Sequence, residues 1–157
     1  MFKDVRRKDR KLNNEQAFEI IEKGEYGVLS TSGENGCPYG IPVNYVLYDN
    51  SIYFHCAQEG RKLQNINFNN QVSFCVVAYA QVQPEKFISR YESAVVFGQA
   101  AEAIGAEKEK AMVEFARRFC KDNFNEVLEH VNHFFNSVKI IKITIEHVTG
   151  KSSLQHR

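Results

Sequence analysis

The chain has 157 residues, of which 43% are hydrophobic and 25% are charged, a composition typical of a soluble globular domain. At this length a single core needs no disulfide or metal for stability, which excludes the mini-protein classes. The 20 Lys and Arg residues nearly balance the 19 Asp and Glu residues, so no overall positive field favours nucleic acid or an anionic membrane as a partner.

The chain begins with a basic arm, residues 1–12, which holds six Lys or Arg residues and two Asp residues. Its polarity excludes the apolar segment of a signal peptide, and no apolar run in the chain approaches the roughly 18 residues of a membrane-spanning helix. We therefore expect one cytoplasmic domain over residues 1–157. The arm is either a solvated terminus or the source of a guanidinium group that reaches over a phosphate or an anionic substrate.

After the arm, Asn14 as the N-cap and Gly24 as the stop predict a short amphipathic helix. From Tyr26 the apolar spacing becomes strand-like, and Asp49-Asn50 predicts a tight turn with positive φ angles between two strands. Gly98 lies inside a later strand, where it indicates a bulge or bend. The six predicted strands are residues 26–31, 39–48, 51–57, 72–79, 92–104 and 138–145.

Few helices lie between these strands. Residues 60–70 predict a short helix, an apolar stripe after Gly105 predicts an amphipathic helix with that stripe in the core, and residues 124–135 are a candidate second helix. Strands joined largely by hairpins favour a mainly β fold, a six-stranded antiparallel barrel with a few peripheral helices, over a parallel α/β sheet. The apolar stripe consists of Met112, Phe115, Ala116, Phe119 and Cys120.

One segment is the best candidate for chemistry, because a strand there leads through a loop into a helix. Side chains alternate along a strand, so His55 and Cys56 lie on opposite faces and cannot act together as base and nucleophile. Gly60 permits close backbone approach. Arg61 and Lys62 follow it in the first helical turn, where free N–H groups and the helix dipole favour an anion. Both a phosphate site and an exposed helix cap are compatible with this pattern.

Six short motifs lie in order along nearly the whole chain. They are Arg6-Arg7-Lys8-Asp9-Arg10, Tyr39-x-Ile41-Pro42-Val43-Asn44-Tyr45-Val46, Ile52-Tyr53-Phe54-His55-x-Ala57-x-x-Gly60-x-Lys62, Val72-Ser73-Phe74, Ser93-Ala94-Val95-Val96-Phe97-Gly98-x-Ala100 and Ile145-Glu146-His147-Val148-Thr149-Gly150-Lys151. Their order and spacing resemble the pyridoxamine-phosphate-oxidase-like split barrels that bind FMN. Within that superfamily the chain is similar to the nitroimidazole-resistance branch.

The resemblance implies a six-stranded antiparallel barrel that forms a homodimer and holds two FMN molecules in clefts between the subunits. It implies that backbone groups of Val43 and Asn44 face the polar edge of the flavin ring. It also implies that Arg61 and Lys62 clamp the FMN phosphate. The residues that it assigns to the cofactor are Pro42, Val43, Asn44, Tyr45, Val46, His55, Cys56, Arg61, Lys62 and Ser93.

The strand histidine of that branch is regarded as an active-site residue near the flavin, so the resemblance makes His55 the candidate catalytic residue. A hydrogen-bonded structural histidine is the alternative. A flavin supplies the electron transfer itself, and the implied function is transfer of electrons from a reduced nicotinamide to a small acceptor such as a nitroimidazole or another nitroaromatic. The rival is a non-catalytic FMN- or haem-binding module that acts as a store or sensor on the same barrel.

True pyridoxamine phosphate oxidases close their site with a C-terminal tryptophan and an arginine-bearing motif. This chain contains no Trp and ends in Leu154-Gln155-His156-Arg157, so we do not expect oxidation of vitamin B6 compounds.

No metal site is expected. Glu126, His130 and His133 could share one helix face, but no fourth ligand lies nearby in the sequence. The cysteines form no CxxC pair, which indicates free thiols in a reducing compartment. The four cysteines are Cys37, Cys56, Cys75 and Cys120.

Overall fold

The computed structural model describes residues 2–127 and 136–154, and an antiparallel sheet dominates them. Its strands are β1 (Lys11–Leu12), β2 (Tyr26–Ser32), β3 (Pro38–Asn44), β4 (Val46–Tyr48), β5 (Ser51–Cys56), β6 (Gln71–Gln83), β7 (Ile88–Ala103) and β8 (Lys139–Ser152). The helices are α1 (Asn14–Lys23), α2 (Arg61–Phe68) and α3 (Gly105–Phe119), with 3-10 turns at Lys8–Arg10, Pro84–Lys86 and Lys121–Asn123. None of the described helices is long and apolar enough to cross a membrane.

The sheet is rolled into a barrel that stays open along one seam. Its strands follow the order β3–β2–β6–β7–β8–β5–β4, and β1 pairs with the last residues of β8. Only Tyr45 separates β3 from β4 in the chain, so the two ends of this path must meet. The ladder between β4 and β5 ends at Val46 and Tyr53, and no ladder joins β3 to β5 in the described sheet. The predicted fold class, a mainly antiparallel split barrel with few helices, is confirmed.

All six predicted strands are present, but the sheet has eight strands rather than six. The predicted strand over residues 39–48 is interrupted at Tyr45, which makes it β3 and β4, and the two-residue β1 adds one more. The ends of the strands also differ. β6 continues after residue 79 and β7 begins before residue 92, and these two extensions pair as a ribbon that is largely exposed on both faces. Such a ribbon shows no apolar alternation. β8 is also longer than predicted, because it continues from residue 145 to Ser152.

The first helix is capped one residue earlier than predicted. Asn13, not Asn14, is the N-cap: its side chain accepts a hydrogen bond from Gln16 N at 2.8 Å, and Gln16 Oε1 accepts one from Asn13 N at 3.1 Å. This reciprocal pair is a capping box. Gly24 ends the helix as predicted, although its φ of −69° is open to any residue. A Cβ there would overlap Val76 Cγ1, so the position requires glycine for space.

Tyr45 closes the barrel from the inside. Its side chain is fully buried, its ring meets Phe74 edge-on at 5.0 Å, and its hydroxyl donates a hydrogen bond to the carbonyl of Ile21 near the end of α1. The guanidinium of Arg118 lies 5.2 Å from the centre of the Tyr45 ring and donates a hydrogen bond to the carbonyl of Gly24. Burial raises the pKa of Tyr45 to about 12, so the phenol stays protonated as a donor.

Apolar side chains form two cores, one inside the barrel and one between α3 and the outer face of β4, β5 and β8. Of the predicted α3 stripe, Met112 lies in the second core with Phe115 packed against it, and Ala116 is also buried. The stripe is not wholly core, however, because 45% of Phe119 is exposed. Glu107 holds the start of α3 on the sheet, where it accepts hydrogen bonds from Tyr53 Oη at 3.1 Å and Lys142 Nζ at 2.6 Å.

Two predicted backbone features are confirmed. Asp49 and Asn50 have φ angles of 46° and 54°, the left-handed conformation of a two-residue hairpin turn. The register between β7 and β8 shifts between Phe97 and Gly98, which is the expected bulge. At Gly98 the two strands approach so closely that a Cβ would overlap the carbonyl oxygen of Thr144.

We expect Gly98→Ala to lower the free energy of unfolding by about 1–3 kcal/mol, because backbone must move to admit the methyl group. Gly40→Ala is the matched control. Gly40 lies in β3 and its φ is not positive, and the atom nearest to an added Cβ would be Val28 Cγ1 at 3.5 Å. The control should change stability by no more than about 1 kcal/mol, and in the stabilising direction. Urea denaturation followed by circular dichroism measures both, and equal effects would contradict close approach at Gly98.

Candidate functional site at the seam of the barrel

The seam begins where Asn44 and His55 face each other. Continuing the register of Val46 with Tyr53 by two residues would pair Asn44 with His55, but the strands separate at this point. Both side chains line a cavity of about 440 Å³ between the sheet and α3. The structure therefore brings together two residues that the sequence assigned to the site.

This end of the seam is apolar. The His55 ring meets Phe115 of α3 edge-on, with 5.1 Å between ring centres. His55 keeps contact with solvent, but its surroundings desolvate the ring and lower the pKa of the imidazole, which favours the neutral form at neutral pH. The remaining lining residues are Met112, Ala116, Phe119, Cys120, Val127, Val138 and Ile140.

The opposite end of the seam is cationic. Arg61, at the start of α2, places its guanidinium 4.7 Å from the ring centre of Tyr39 at the start of β3. Its Nη2 also lies 3.4 Å from the Sγ of Cys37, to which it donates a hydrogen bond. From Tyr39 to Asn44 the strand covers about 17 Å. The seam thus joins an apolar end and a cationic end.

The start of α2 has the geometry of an anion site. Gly60 has a φ of 138°, a conformation that only glycine adopts readily. The first internal hydrogen bond of the helix is donated by Leu63 N to Gly60 O at 3.0 Å, so the amides of Arg61 and Lys62 precede the helical ladder. Among the described residues neither cation has a carboxylate partner.

Lys62 and Cys56 share this region, since the positive charge of Lys62 acts on the thiol. Burial is the larger effect and raises the pKa of Cys56, while Lys62 opposes it. The thiol is therefore a neutral neighbour and not a nucleophile. Asn65 of α2 donates a hydrogen bond to Thr31 Oγ1 of β2 at 2.9 Å, and this buried contact fixes the helix against the barrel. The sequence did not single out Asn65, because a lone polar residue in a helix carries no signal of its partner.

The predicted cofactor strand offers mainly backbone to the seam. Pro42 and Asn44 point outward and are exposed, whereas Val43 packs towards the barrel core. The side chains of Tyr45 and Val46 are buried, so these two residues can reach a ligand only through backbone atoms. Because β3 is the last strand of the path, the N–H and C=O groups of alternate residues on its free edge have no ladder partner in the described sheet.

Ser93 is not at the seam of its own chain. It lies on β7, three strand positions from β3, which corresponds to about 14 Å across the sheet. On the outer face its Cα partner in β8 is Lys151.

The described residues contain no group of three or more His, Cys, Asp or Glu side chains that could hold a metal. His130 and His133, the metal ligands considered from the sequence, lie outside the described residues. Residues 124–127 are helical, and the rest of the predicted helix over residues 124–135 also lies outside them. All four cysteines are free thiols.

A family model described as pyridoxamine 5'-phosphate oxidase matches residues 13–152. The chain belongs to this family. The match includes both sides of the seam, from Tyr39 to Val46 and from Ile52 to Lys62. No curated protein matches the chain at a significant level.

Several solved structures share the fold of this family member. A candidate 5-nitroimidazole antibiotic resistance protein from Bacteroides thetaiotaomicron is 23% identical, covers 90% of this chain and 85% of its own, and has a TM-score of 0.77. A FAD-binding protein from Mesorhizobium loti is 20% identical, covers 90% of this chain and 93% of its own, and has a TM-score of 0.62. The haem storage protein HutZ from Vibrio cholerae is 14% identical, covers 91% of this chain and 98% of its own, and has a TM-score of 0.65. At these identities the likeness establishes the fold alone.

We expect the His55 imidazole to titrate below the usual histidine range, because its surroundings disfavour the charged ring. The folded state then binds fewer protons than the unfolded state. The contribution of His55 to the free energy of unfolding is therefore fully present above the usual histidine pKa, and it is lost as the pH falls from there through the lowered pKa of the folded state. An NMR titration of the imidazole, assigned with a His55→Gln variant, measures the shift.

Phe115→Ala is the control for this titration. Removing the ring that packs on His55 admits water, so the midpoint should move up towards the usual value. A midpoint at or above the usual value in the unmodified protein would contradict the desolvated environment.

Proposed function

We propose that the protein is an FMN-dependent oxidoreductase. Electrons would pass from a reduced nicotinamide, which is oxidised, to a small planar acceptor such as a nitroimidazole or another nitroaromatic, which is reduced. The observation that carries this proposal is that two of the six motifs, Tyr39 to Val46 and Ile52 to Lys62, line the two sides of the open seam between β3 and β5. The family membership and a fold shared with a FAD-binding protein support a flavin in that place.

The seam fits FMN in polarity from one end to the other. Lys62 and Arg61, which have no carboxylate partner among the described residues, would hold the phosphate together with the first amides of α2. The apolar cavity beside His55 would take the aromatic ring, and unpaired backbone groups of β3 at Val43 or Asn44 would meet its polar edge. FMN, when bound, supplies the electron transfer.

His55 is the residue that we assign to proton handling at this site. Its neutral imidazole carries one protonated and one unprotonated ring nitrogen, so it can hold a proton for an acceptor that is being reduced. The wall formed by Phe115 and its apolar neighbours covers one side of the imidazole ring and keeps water from that side. Cys56 and Tyr45 border the site through backbone only, since their side chains are buried.

We propose a homodimer, because one chain does not complete the site. Ser93 lies about 14 Å from β3 across the sheet, so its contact with the cofactor would come from the second subunit. A row of apolar residues, Val28, Cys75 and Val95, crosses the outer face of β2, β6 and β7. Nearby on this face 53% of Val77 is exposed, and a second copy would cover such a surface. The free thiols support a cytoplasmic location.

The second candidate function is a non-catalytic binding module that stores or senses FMN or haem. The observation that favours haem is His55, a neutral imidazole in an apolar cavity, which is the environment of a haem iron ligand. The shared fold with a haem storage protein is in accord with it. The visible spectrum of the purified protein distinguishes the two cofactors.

We expect Lys62→Ala to weaken FMN binding by about tenfold or more, because it removes a charge-assisted hydrogen bond to the phosphate. Lys23→Ala is the matched control, since Lys23 is an exposed lysine at the end of α1 and its loss changes the net charge equally. Titration of the apoprotein with FMN, followed by flavin fluorescence, gives both dissociation constants. Equal affinity for the unmodified protein and Lys62→Ala would overturn the phosphate assignment.

We expect the FMN-loaded protein to lose its yellow colour when mixed with NADH or NADPH without oxygen, and to regain it when a nitroimidazole is added. In His55→Ala the flavin should remain bound while turnover falls, because the proton-carrying group is missing but the phosphate contacts are intact. Colour that persists under both reductants would favour the storage module over the enzyme. Parallel loss of flavin and of turnover in His55→Ala would assign His55 to cofactor binding alone.

A further inference from the structure

A second group of cations lies on the outer face of the sheet, away from the seam. Arg10 Nη1 donates a hydrogen bond to Tyr91 Oη at 3.4 Å, and the Arg10 guanidinium lies 5.8 Å from the centre of the Tyr91 ring. The ammonium of Lys151 lies 5.8 Å from the same ring centre. One phenol thus contacts two positive charges that come from opposite ends of the chain.

The fold brings these three residues together through β8. Arg10 ends the 3-10 turn that leads into β1, and the next residue, Lys11, is the Cα partner of Lys151. On its other side Lys151 pairs with Ser93 of β7, and Tyr91 lies two residues before Ser93 on the same face. In the sequence the basic arm, β7 and the last strand are far apart.

The positive charge of this cluster is not neutralised within the described residues. Asp4 and Asp9, the two carboxylates of the basic arm, form ion pairs with residues other than Arg10. Neither Arg10 nor Lys151 has a carboxylate partner in residues 2–127 and 136–154, and the Nε of Arg10 is buried without a hydrogen-bond acceptor. A buried donor of a charged group that lacks an acceptor is costly, so the cluster lacks the anion that would satisfy it.

The Tyr91 phenol reports the local potential. The hydrogen bond from Arg10 lowers the pKa of Tyr91 most, and Lys151 lowers it further through its charge and a hydrogen bond. The surroundings therefore stabilise negative charge on an oxygen atom at this point. Because the phenol oxygen accepts from Arg10, its own O–H can donate to another acceptor.

We propose that Arg10, Tyr91 and Lys151 form a second anion site, which binds the phosphate group of a small molecule. Two cations and a hydroxyl donor match the double charge and the several acceptor oxygens of a phosphate better than the single charge of a carboxylate. Binding of phosphate here does not depend on the flavin. The neighbouring Ser93 would place the bound molecule near the cofactor of the dimer, and this part alone rests on the proposed function.

The test measures binding of radiolabelled inorganic phosphate by equilibrium dialysis, using the full chain saturated with FMN so that the start of α2 is filled. Phosphate should still bind, and Arg10→Gln or Lys151→Gln should each weaken it by about tenfold or more. Tyr91→Phe should weaken binding less, because a neutral donor is lost. Acetate should compete more weakly than phosphate. Circular dichroism confirms that each variant is folded.

Lys23→Gln is the matched control, since it removes an exposed positive charge in α1 and should leave phosphate binding unchanged. Absence of phosphate binding to the FMN-loaded protein, an equal loss in Lys23→Gln, or equal competition by acetate would each overturn the proposal. So would weaker FMN binding in Arg10→Gln with no separate phosphate site, because the cluster would then hold the cofactor itself.

These outcomes are distinguishable from failure of the proposed function. If the chain takes up no FMN, dialysis with the unloaded protein still compares Arg10→Gln with Lys62→Gln. Phosphate binding that depends on Arg10 and not on Lys62 would support the second anion site while the flavin proposal fails. FMN binding without further phosphate binding would support the flavin proposal and overturn the second anion site.

Discussion

Closure of the barrel depends on the single residue between β3 and β4. Tyr45 turns its side chain into the core, where its ring meets Phe74 and its hydroxyl donates to the carbonyl of Ile21 at the end of α1. This contact ties the first helix to the point where the two ends of the sheet meet. Since β4 pairs with β5 and β3 does not, the same residue determines where the seam opens. The site therefore exists because the barrel is closed at Tyr45, whereas β3 and β5 beyond it stay unpaired.

The seam combines two environments that neither side of the barrel has alone. At the Asn44 and His55 end, α3 supplies an apolar wall, and at the Tyr39 and Arg61 end, α2 supplies cations and free amides. A ligand with an aromatic ring and a phosphate tail would satisfy both ends at once. Either end alone would be an ordinary hydrophobic cavity or an exposed helix cap. Their spacing along one strand is what favours a nucleotide-like cofactor over an unrelated small molecule.

The sequence predicted the elements better than their arrangement. A strand with one buried face, such as β2, shows alternation, so its position was correct. β5 is buried on both faces except at His55, and the turn at Asp49-Asn50 marked its start. The ribbon beyond residues 79 and 92 is exposed on both faces, and its length was therefore missed. The interruption at Tyr45 was also missed, because a tyrosine within a β-rich run gives no sign that its direction changes.

Sequence reasoning could place candidate site residues relative to one another only where they are close in sequence. His55, Cys56, Arg61 and Lys62 follow one another, so strand alternation and helix-start chemistry place them locally. The position of Ser93 depends on strand order, which a single sequence does not encode locally. The cluster of Arg10, Tyr91 and Lys151 was missed for the same reason, since β8 alone brings these distant segments together. The proposal of FMN as the cofactor came from the resemblance and not from periodicity or charge.

The pairing of β1 with β8 has a consequence for how the chain can be shortened. One edge of β8 is paired with β7 along almost its whole length. On the other edge β5 pairs with the first half of β8 up to Thr144, and beyond it only the strand Lys11–Leu12 pairs with the last residues. Removal of the arm would uncover main-chain groups on a long central strand, and such a bare margin invites another polypeptide to add to it. By pairing with this edge, the basic arm thus also protects the sheet against self-association.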